Sequence, residues 1–389
     1  MIKKKIIIFG STGSIGKTTL KIVDKDFKKF DIILLTSNKN VNLLIQQATK
    51  YNVKNLIITN YNKYMWAKKK YRNRFIIRND FKKLDKIIKK KVDYVMSAIT
   101  GIAGLEPTLN SISLTKRIAI ANKESIICGW NLIKKKLLIN KTKFIPIDSE
   151  HFSLNSLIHN SNIKNIDNAI ITASGGPFLN LPLSKFQSIT KKNAINHPNW
   201  KMGHKISIDS ATMMNKVFEI VEAQRIFDIP LDKLSILIQP KSYVHAIVKF
   251  KNGLIKILIH ESSMMIPIFN SIYDKLEKYI ETDKINLSLL NNLDLKKVDV
   301  KRYPITKTLR QFSNKVTLFD TVIIATNDEL VEQFLNQKIK FVQISTFLEK
   351  IIKLPELIIY KDKTPNNINE IINLNNYVRL ITKKLSVLS

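Results

Sequence analysis

A glycine-rich loop between the first apolar segment and the first amphipathic segment restricts the fold of this chain more than any other feature. The loop reads Gly10-Ser-Thr-Gly13-Ser-Ile-Gly16 and directly follows the apolar run at residues 5–9. The whole chain has ten glycines among 389 residues, so three in one loop indicate backbone positions that exclude a Cβ atom or require a positive φ. A strand, a glycine turn and a helix in this order can bind a pyrophosphate at the helix N-terminus.

Two kinds of phosphate-binding loop compete for this segment. An NTPase P-loop needs four residues between its first glycine and a Gly-Lys-Ser/Thr group, whereas five residues separate Gly10 from Gly16. The spacing therefore favours a dinucleotide-binding loop, with a tight turn that binds nothing as the alternative.

After the second predicted strand, Ser37-Asn38-Lys39-Asn40 offers no acid for a ribose 2′-hydroxyl. A lysine there suits a 2′-phosphate and predicts NADPH rather than NADH, although Lys39 is equally consistent with an ordinary surface lysine.

Short apolar runs alternate with amphipathic stretches through residues 1–148. We predict strands at residues 5–9, 31–36, 55–59, 92–98, 117–121 and 143–147, and helices that include residues 17–29 and 41–50. This alternation predicts an α/β fold: an N-terminal Rossmann-like domain with a mostly parallel sheet, a central α+β catalytic domain and a C-terminal α-helical domain. The predicted division is 1–148, 149–280, a linker at 281–303, and 304–389. A hairpin is expected around Lys251-Asn252-Gly253, where Asn-Gly would supply the positive φ angles of a tight turn.

Acidic residues follow the last predicted strand of the first domain. In Asp148-Ser149-Glu150 both carboxylates would project to one side if this segment is extended. A helix is expected over residues 211–225, capped by Asp209 or Ser210, with Asn215, Glu219 and Glu222 on one face. If the fold brings Glu219 to Asp148 and Glu150, the oxygen-only set favours Mg²⁺ or Mn²⁺ over zinc. The alternative is a surface Lys216–Glu219 pair beside a helix-capping acid.

A phosphate pocket and a mobile lid are predicted in the central domain. Hydroxyl, amide and ammonium donors suited to a phosphomonoester occur at Ser174, Ser210, Asn215 and Lys216. Residues 197–204 have the composition of a lid, with His197, Trp200, Met202 and Gly203 as its characteristic residues. The alternative for the lid is a common His-Pro-Asn turn beside a core tryptophan.

The chain is strongly basic, with 64 Lys and Arg against 31 Asp and Glu and a formal net charge of +33. The basic runs are short and dispersed along the sequence, unlike the single stripe or arm of a nucleic-acid binder. We therefore expect solvated faces and no nucleic-acid partner.

The single cysteine, Cys128, favours a reducing compartment, and no apolar run approaches the roughly 18 residues of a membrane span. We expect no membrane association and a cytoplasmic location.

Together these motifs closely resemble the 1-deoxy-D-xylulose 5-phosphate reductoisomerase family of the non-mevalonate isoprenoid pathway. The resemblance is dense over about residues 8–220 and thinner beyond. Its motifs, in chain order, are the Gly10–Gly16 loop, Ala121-Asn-Lys-Glu-Ser125, Asp148-Ser-Glu-His151, Ser174-Gly-Gly-Pro-Phe178, His197-Pro-Asn-Trp200 and Lys205-Ile-Ser-Ile-Asp-Ser-Ala-Thr-Met-Met-Asn-Lys216. Pro240, Ser242, His245, Arg302-Tyr-Pro304 and Asn327 extend it.

The resemblance implies a three-domain homodimer that rearranges a small phosphorylated sugar and then reduces the branched aldehyde with NADPH. It places Asp148, Glu150 and Glu219 on the metal, which would be Mg²⁺ or Mn²⁺ with Co²⁺ as a further candidate. Together with Lys123 these acids form the implied catalytic set. The implied substrate contacts are Lys123, Ser149, Glu150, Ser174, His197, Ser210, Asn215, Lys216 and Glu219. The implied NADPH contacts are Thr12, Gly13, Ser14, Ile15, Lys39, Asn40, Asn122, Glu124 and Gly203.

Three single positions and one four-residue string depart from the family pattern. Asn38 and Val217 replace usual glycines, His204 replaces a common arginine, and residues 262–265 replace a more charged string. Asn38 is expected to keep its turn by tolerating a positive φ.

Other functions compete with the one that the resemblance implies. The nearest rival is another NADP-dependent dehydrogenase, which would need no metal and would act on a phosphorylated or amino-acid-derived aldehyde. A basic nucleic-acid-binding protein and a decayed pseudoenzyme are the remaining alternatives.

Overall fold

The computed structural model describes residues 2–200, 202–273 and 278–387. Lys201, which belongs to the predicted lid, lies outside the described residues, as do residues 1, 274–277 and 388–389 of the predicted domains. The chain forms two compact units. The first comprises Met1–Ser125, Asn131–Asp148 and Met264–Ile280, and the second comprises Ile126–Trp130, Ser149–Ser263 and Glu281–Ser389. The predicted domain change after Asp148 coincides with a boundary between these units, whereas residues 264–280 group with the first unit; the four-segment division stays a prediction.

Strands and helices alternate in the first half of the chain, and helices dominate its last quarter. The strands are β1 (Lys4–Phe9), β2 (Phe30–Ser37), β3 (Asn55–Ile58), β4 (Ile76–Arg78), β5 (Tyr94–Ser97), β6 (Arg117–Ile120), β7 (Lys143–Pro146), β8 (Ile166–Ala173), β9 (Leu234–Ile238), β10 (Val244–Phe250), β11 (Ile255–Ile259) and β12 (Lys296–Lys297). The helices are α1 (Ser14–Lys25), α2 (Val41–Lys50), α3 (Tyr61–Tyr71), α4 (Leu84–Ile87), α5 (Leu105–Ile112), α6 (Lys123–Asn140), α7 (Ser149–Ile158), α8 (Lys191–Ile195), α9 (His204–Thr212), α10 (Met214–Phe227), α11 (Met265–Ile272), α12 (Leu287–Asn291), α13 (Leu318–Leu335), α14 (Phe341–Ile351), α15 (Pro355–Ile358) and α16 (Ile368–Val387).

The first unit is built on a parallel sheet in the order β4-β3-β2-β1-β5-β6-β7. Its strands are short and almost continuously apolar because helices cover both faces of such sheets. The predicted α/β fold class is confirmed, and each of the six predicted strands corresponds to an observed one within about two residues at its ends. β4 has no predicted counterpart, since it has only three residues, Ile-Ile-Arg, lies at the sheet edge and ends in a basic side chain.

The strand order reverses at β1, and this reversal places the glycine loop. The chain runs outward from β1 through β2 and β3 to β4, then returns to add β5 on the opposite side of β1. In open parallel sheets, ligands bind beyond the carboxyl ends of the strands at such a reversal. The Gly10–Gly16 loop follows β1 directly, so it lies at this point of the first unit.

The second unit contains a mixed sheet in the order β11-β10-β8-β9-β12. β8 and β9 are parallel, whereas the pairs β10–β11, β8–β10 and β9–β12 are antiparallel. Apolar side chains of α7 and α10, including Leu154 and Ile220, pack with the strand residues Ile171 and Val248 in one core. This layer of helices on a sheet agrees with the predicted α+β character of the central region.

The hairpin β10–β11 forms, but its turn differs from the prediction. Gly253 has φ +86°, while Asn252 keeps a negative φ, so the turn is not one with two left-handed residues. Gly253 N–H donates to Phe250 O, and Phe250 N–H donates to Leu254 O. These bonds define a three-residue loop that ends in a left-handed glycine, which is a common alternative hairpin connection.

Residues 281–303, predicted as a linker, contain short regular elements. α12 lies here, and β12 pairs with β9 through Lys296 opposite Ile238 and Lys297 opposite Leu237. The segment therefore contributes an edge strand to the second sheet. The strand is difficult to recognise in sequence because it is two lysines, which are typical of exposed edges.

The helix expected over residues 211–225 begins differently. α9 ends at Thr212, Met213 adopts a left-handed conformation with φ +73°, and α10 runs from Met214 to Phe227. Asp209 and Ser210 therefore lie inside α9 rather than capping the following helix. Helices α13, α14 and α16 form the C-terminal region, where helices were predicted. Among the described residues no helix is both long enough and apolar enough to span a bilayer.

Candidate active site

The glycine loop after β1 is packed so tightly that side chains would not fit. Gly10 has φ +73°, and a Cβ atom added to it would lie 2.6 Å from the Ala98 carbonyl oxygen at the end of β5. A Cβ atom on Gly16 would overlap the carbonyl oxygen of Gly10 and the backbone of Ser11. These two glycines let the backbone fold back over the start of α1, as a close phosphate contact requires.

The four predicted cofactor contacts in this loop surround the N-terminus of α1. Gly13 is the N-cap residue and Ser14 begins the helix, with Ile15 in its first turn. Thr12 Oγ1 lies 2.9 Å from Ser37 Oγ at the end of β2, which ties the loop to the neighbouring strand. The first turn of this 12-residue helix carries no acidic residue among its described positions, so an anion there meets the favourable end of the helix dipole.

Lys39 and Asn40 lie immediately after β2. Lys39 is exposed, and Asn40 caps α2 because its side chain accepts a hydrogen bond from Leu43 N–H at 3.3 Å. Asn38 does not adopt the positive φ that was expected of it. Its side-chain amide instead donates to Thr59 Oγ1 at 2.7 Å, so a hydrogen bond to the next strand end holds the turn.

Asn122 and Lys123 open α6 and connect three strand ends of the first unit. Asn122 accepts from Ser125 N–H as the N-cap and donates to Gly101 O at 2.7 Å, beyond β5. Lys123 Nζ lies 2.5 Å from Asp148 Oδ2, which follows β7. Glu124, in the first turn of α6, is 6% exposed. Lys123, which was predicted to act in catalysis, therefore forms an ion pair with Asp148, which was predicted to bind the metal.

Asp148, Glu150 and Glu219 lie together. One carboxylate oxygen from each residue lies within 4.8 Å of the others. Asp148 directly precedes α7, and Glu150 is in the first turn of that helix. The segment is therefore not extended, and extension was the condition under which both carboxylates would project to one side. Glu219 reaches the group from α10. Glu150 and Glu219 are 8% and 2% exposed, so burial makes their mutual repulsion costly without a positive partner.

Lys216 supplies positive charge to two of these acids. Its Nζ lies 2.5 Å from Glu219 Oε2 and also donates to Glu150 Oε1. Asn215 donates to the other oxygen of Glu219, and Ser149 Oγ donates to Glu150 Oε2. The expected helix face of Asn215 and Glu219 therefore forms. The alternative of a surface pair is wrong, because Lys216 is 8% exposed.

The acid group has the composition of a hard-cation site. Its possible metal ligands are carboxylate oxygens, and two of the three acids are buried. The carboxamide of Asn215 donates a hydrogen bond to Glu219, and the hydroxyl of Ser149 donates one to Glu150. Mg²⁺ and Mn²⁺ prefer such oxygen ligands, and hydrogen bonds from neighbouring side chains orient ligating carboxylates. The residues present therefore fit a divalent cation of this kind.

Ser174 and His197 form a hydrogen-bonded pair with assignable proton positions. The backbone N–H groups of Asn199 and Trp200 donate to His197 Nδ1 at 3.2 and 3.0 Å. The neutral ring must therefore carry its proton on Nε2, which lies 3.0 Å from Ser174 Oγ. Gly176 N–H also donates to this oxygen at 3.0 Å. Since Ser174 Oγ accepts both bonds, its own proton is available to a ligand.

Burial keeps His197 neutral. Loss of solvent, together with the nearby positive charge of Lys216, lowers the pKa of His197 to about 4. The ring is therefore uncharged near neutral pH. It can fix the orientation of Ser174, but it does not add a charge for binding an anion.

The predicted lid is anchored at one end by a residue that the sequence analysis did not single out. Asn199 Nδ2 donates to Pro240 O at 2.7 Å and to Ser242 Oγ at 2.9 Å, beyond β9. Trp200 lies edge-on to His245, with ring centroids 6.3 Å apart. Met202 is half-buried, and Gly203 is the N-cap of α9. The string His197-Pro-Asn-Trp200 was recognised, but nothing in it indicates the partner of its asparagine.

Ser210 and two positions that depart from the family pattern lie on α9 and α10. Ser210 lies in the last turn of α9, and a Cβ atom on Gly176 would lie 3.0 Å from its carbonyl oxygen. The Ser174 loop and α9 are therefore in backbone contact. Val217 is fully buried within α10, while His204 is exposed at the start of α9. Ser262 Oγ donates to Ser242 O at 3.0 Å. The first residue of the changed string at 262–265 therefore contacts Ser242, which also accepts a hydrogen bond from Asn199.

Comparison with known proteins identifies the same family along nearly the whole chain. The family model described as 1-deoxy-D-xylulose 5-phosphate reductoisomerase matches residues 6–129, and its C-terminal domain models match residues 144–227 and 260–381. A reductoisomerase of this name from Pelagibacter ubique (strain HTCC1062) is 55% identical over 387 residues, covering 99% of this chain and 100% of the relative. One from Wolbachia sp. subsp. Drosophila simulans (strain wRi) is 36% identical over 388 residues, covering 98% and 97% of the two chains.

Solved structures give the same result. The 1-deoxy-D-xylulose 5-phosphate reductoisomerase from Zymomonas mobilis in complex with NADPH is 30% identical, with a TM-score of 0.85 and 99% of each chain covered. DOX-P reductoisomerase in complex with NADPH, fosmidomycin and magnesium is 28% identical, with a TM-score of 0.89 and 99% and 98% coverage. The resemblance drawn from the sequence motifs is confirmed, and the chain belongs to the 1-deoxy-D-xylulose 5-phosphate reductoisomerase family.

Proposed function

We propose that this protein converts 1-deoxy-D-xylulose 5-phosphate to 2-C-methyl-D-erythritol 4-phosphate, using NADPH and a divalent cation, in the synthesis of isoprenoid precursors. The observation that carries the proposal is the oxygen-only acid group of Asp148, Glu150 and Glu219 in a chain that matches this family over nearly its full length. A related structure that contains NADPH, fosmidomycin and magnesium supports both cofactors. The reaction consumes one NADPH and one proton for each substrate molecule.

Asp148, Glu150 and Glu219 would hold the divalent cation. When bound, Mg²⁺ or Mn²⁺ would polarise the carbonyl and hydroxyl oxygens of the substrate for the carbon-skeleton rearrangement. Lys123 donates to Asp148, and Asn215 and Ser149 donate to the two glutamates. These donors would fix the orientation of the carboxylates, as residues around metal ligands commonly do.

The substrate would be held mainly by residues of the second unit. Ser174 and Ser210 would donate hydroxyl protons to its phosphate, and Lys216 would supply the charge. His197 would keep the Ser174 proton directed outward, because its own Nε2–H is already donated to Ser174 Oγ. The proposed substrate contacts are Lys123, Ser149, Glu150, Ser174, His197, Ser210, Asn215, Lys216 and Glu219.

NADPH would bind at the N-terminus of α1 and supply the hydride for the reduction. The proposed contacts are Thr12, Gly13, Ser14, Ile15, Lys39, Asn40, Asn122, Glu124 and Gly203. The structure gives Asn40 and Asn122 capping roles as well, so substitution of either would also disturb α2 or α6. Trp200 and Met202 in the lid would exclude water from the hydride step.

The test is a stoichiometric assay of the purified protein with 1-deoxy-D-xylulose 5-phosphate, NADPH and Mg²⁺. NADPH oxidation is followed by absorbance, and the phosphorylated product is identified by mass spectrometry and NMR. We expect one 2-C-methyl-D-erythritol 4-phosphate for each NADPH oxidised. NADPH oxidation that yields an unrearranged alcohol would instead support the rival dehydrogenase.

The oligomeric state and cellular location belong to the same proposal. We expect a homodimer working in the cytoplasm, as the family resemblance implies. Sedimentation equilibrium of the purified protein tests the first point, since a mass near twice 44.8 kDa is expected. Cell fractionation with antibodies against the protein tests the second.

A further inference from the structure

A second buried acid, Asp209, lies outside the metal-binding group and is 2% exposed. It belongs to α9 and directly precedes Ser210. Asn327, from the long C-terminal helix α13, donates its side-chain amide to Asp209 Oδ1 at 2.8 Å. Lys205 Nζ lies 2.8 Å from Asp209 Oδ2 and 2.9 Å from Asp328 Oδ1. A buried carboxylate is costly unless it is paired and hydrogen-bonded, and here both of its oxygens have partners.

Helix α9 needs such an attachment because its own sequence stabilises it weakly. It has nine residues, begins at a glycine N-cap and ends at the left-handed Met213. Helices shorter than about 12 residues are marginal in water and depend on tertiary packing. The Asp209 contacts fasten the second half of α9 to α13, where Asn327 is fully buried.

The position of α9 sets the position of one half of the proposed phosphate pocket. Ser210 is the next residue after Asp209, and its carbonyl oxygen lies within 3.0 Å of where a Gly176 Cβ atom would stand. Gly176 N–H in turn donates to Ser174 Oγ. A shift of α9 would therefore change the relation between the Ser174 and Ser210 hydroxyls, or push the Ser174 loop aside.

The geometry points to Asp209 and Asn327 as positioning residues for substrate phosphate, through which the C-terminal helix α13 controls the affinity of the site for its substrate. This inference rests on the proposed function, because Ser174 and Ser210 are taken there as phosphate donors. Neither Asp209 nor Asn327 contacts the substrate in this scheme. A buried polar network can fix one arrangement of the elements that it joins, and here each carboxylate oxygen of Asp209 has a partner.

The test uses Asp209→Asn, Asn327→Asp and the double variant in the full-length protein. Asp209→Asn replaces the carboxylate beside Lys205 with a neutral amide. Asn327→Asp places a second carboxylate next to that of Asp209, so the two negative charges repel each other. Each single variant should raise the KM for 1-deoxy-D-xylulose 5-phosphate by about tenfold or more, because small misplacements of binding groups are costly. The KM for NADPH should stay within about twofold of the unsubstituted value. The double variant exchanges amide and carboxylate, so it should recover most of the substrate affinity.

Glu329→Gln is the matched control. Glu329 is another buried acid on α13, but it pairs with Arg379 on α16 at 2.9 Å rather than with α9 or α10. This control should lower Tm without raising the KM for the sugar phosphate. If either single variant fails to fold, Lys205→Met, which removes a partly exposed partner of Asp209, should raise the same KM.

The positioning role is wrong if the single variants lower Tm but keep the unsubstituted KM for the sugar phosphate. It is also wrong if the double variant binds no better than the weaker single variant. A failure of the proposed function is distinguishable, because then the unsubstituted protein itself would oxidise no NADPH with this substrate.

Discussion

Lys216 Nζ lies 2.5 Å from Glu219 Oε2 and also donates to Glu150, so one ammonium is shared by two buried carboxylates of the proposed metal-binding group. The same side chain is proposed to hold the substrate phosphate. These two roles make different predictions, because the first concerns the stability of the metal-free protein and the second concerns substrate affinity.

Lys216→Gln should destabilise the protein most strongly when metal is removed. Without the ammonium, Glu150 and Glu219 are buried with uncompensated charge, which typically costs about 3–5 kcal/mol. Mg²⁺ would then stabilise the variant more than the unsubstituted protein, since it binds the folded state and relieves the same repulsion. Thermal unfolding with chelator and with Mg²⁺ measures this difference.

The control for this experiment is Lys249→Gln. Lys249 pairs with Asp167 at the surface, where the two side chains are 54% and 47% exposed, so its loss should leave the Mg²⁺-induced shift in Tm unchanged. Equal Mg²⁺-induced shifts in Lys216→Gln and the unsubstituted protein would show that Lys216 does not compensate the acids.

Lys216→Ala should also weaken substrate binding. Removing the Lys216 ammonium from the proposed phosphate pocket should raise the KM for 1-deoxy-D-xylulose 5-phosphate by about tenfold or more, as expected for a charge-assisted contact. Steady-state kinetics at saturating Mg²⁺ and NADPH measure the change. A KM equal to that of the unsubstituted protein would remove Lys216 from the phosphate site.

His197 should make stability depend on pH below neutrality. Its pKa is about 4 in the folded protein, against an ordinary value of 6.5, because burial and the charge of Lys216 disfavour the protonated ring. Between these values the folded state binds fewer protons than the unfolded state. The free energy of unfolding therefore rises with pH across this window and is lost as the solution is acidified.

His197→Gln removes this dependence and provides the test. Urea unfolding of both proteins at about pH 5 and about pH 7.5 should show a smaller loss on acidification in the variant. If both proteins lose the same free energy of unfolding, His197 is not held neutral by its surroundings in the way that the structure indicates.

Gly16→Ala should damage NADPH binding. Its Cβ atom would overlap Gly10 O and the Ser11 backbone, and backbone atoms cannot yield as a flexible side chain can. The loop would have to open, which should raise the KM for NADPH by about tenfold or more. Fluorescence titration with NADPH measures the affinity directly.

Lys21→Ala, on an exposed position of the same helix α1, is the matched control and should bind NADPH normally. Normal NADPH affinity in Gly16→Ala would contradict the assignment of this loop to the cofactor.

Local sequence predicted the first sheet well and the second unit less completely. The strands of the first sheet are buried on both faces, so they appear in the sequence as uninterrupted apolar runs such as Ile6-Ile-Ile-Phe9. β4 and β12 lack that signal, because edge strands are short and carry basic residues. Their pairing depends on neighbours that are distant in sequence.

Near the site, the residue types were predictable and their conformations were not. The three carboxylates were grouped correctly, yet Asp148-Ser149-Glu150 was considered as an extended segment and instead leads into α7. Asp209 was one of two candidate helix caps and instead lies buried within α9, where it accepts a hydrogen bond from Asn327. The left-handed Met213 that separates α9 from α10 has no local signal, since methionine rarely adopts this conformation and only tertiary packing can impose it.

The central claim is tested most directly by the metal dependence of NADPH oxidation with 1-deoxy-D-xylulose 5-phosphate, measured for the unsubstituted protein and for Asp148→Asn. We predict that chelation abolishes oxidation by the unsubstituted protein and that Mg²⁺ restores it. Asp148→Asn should lose nearly all turnover at every Mg²⁺ concentration while it still binds NADPH. Oxidation that survives exhaustive removal of metal, or near-normal turnover by Asp148→Asn, would contradict the account.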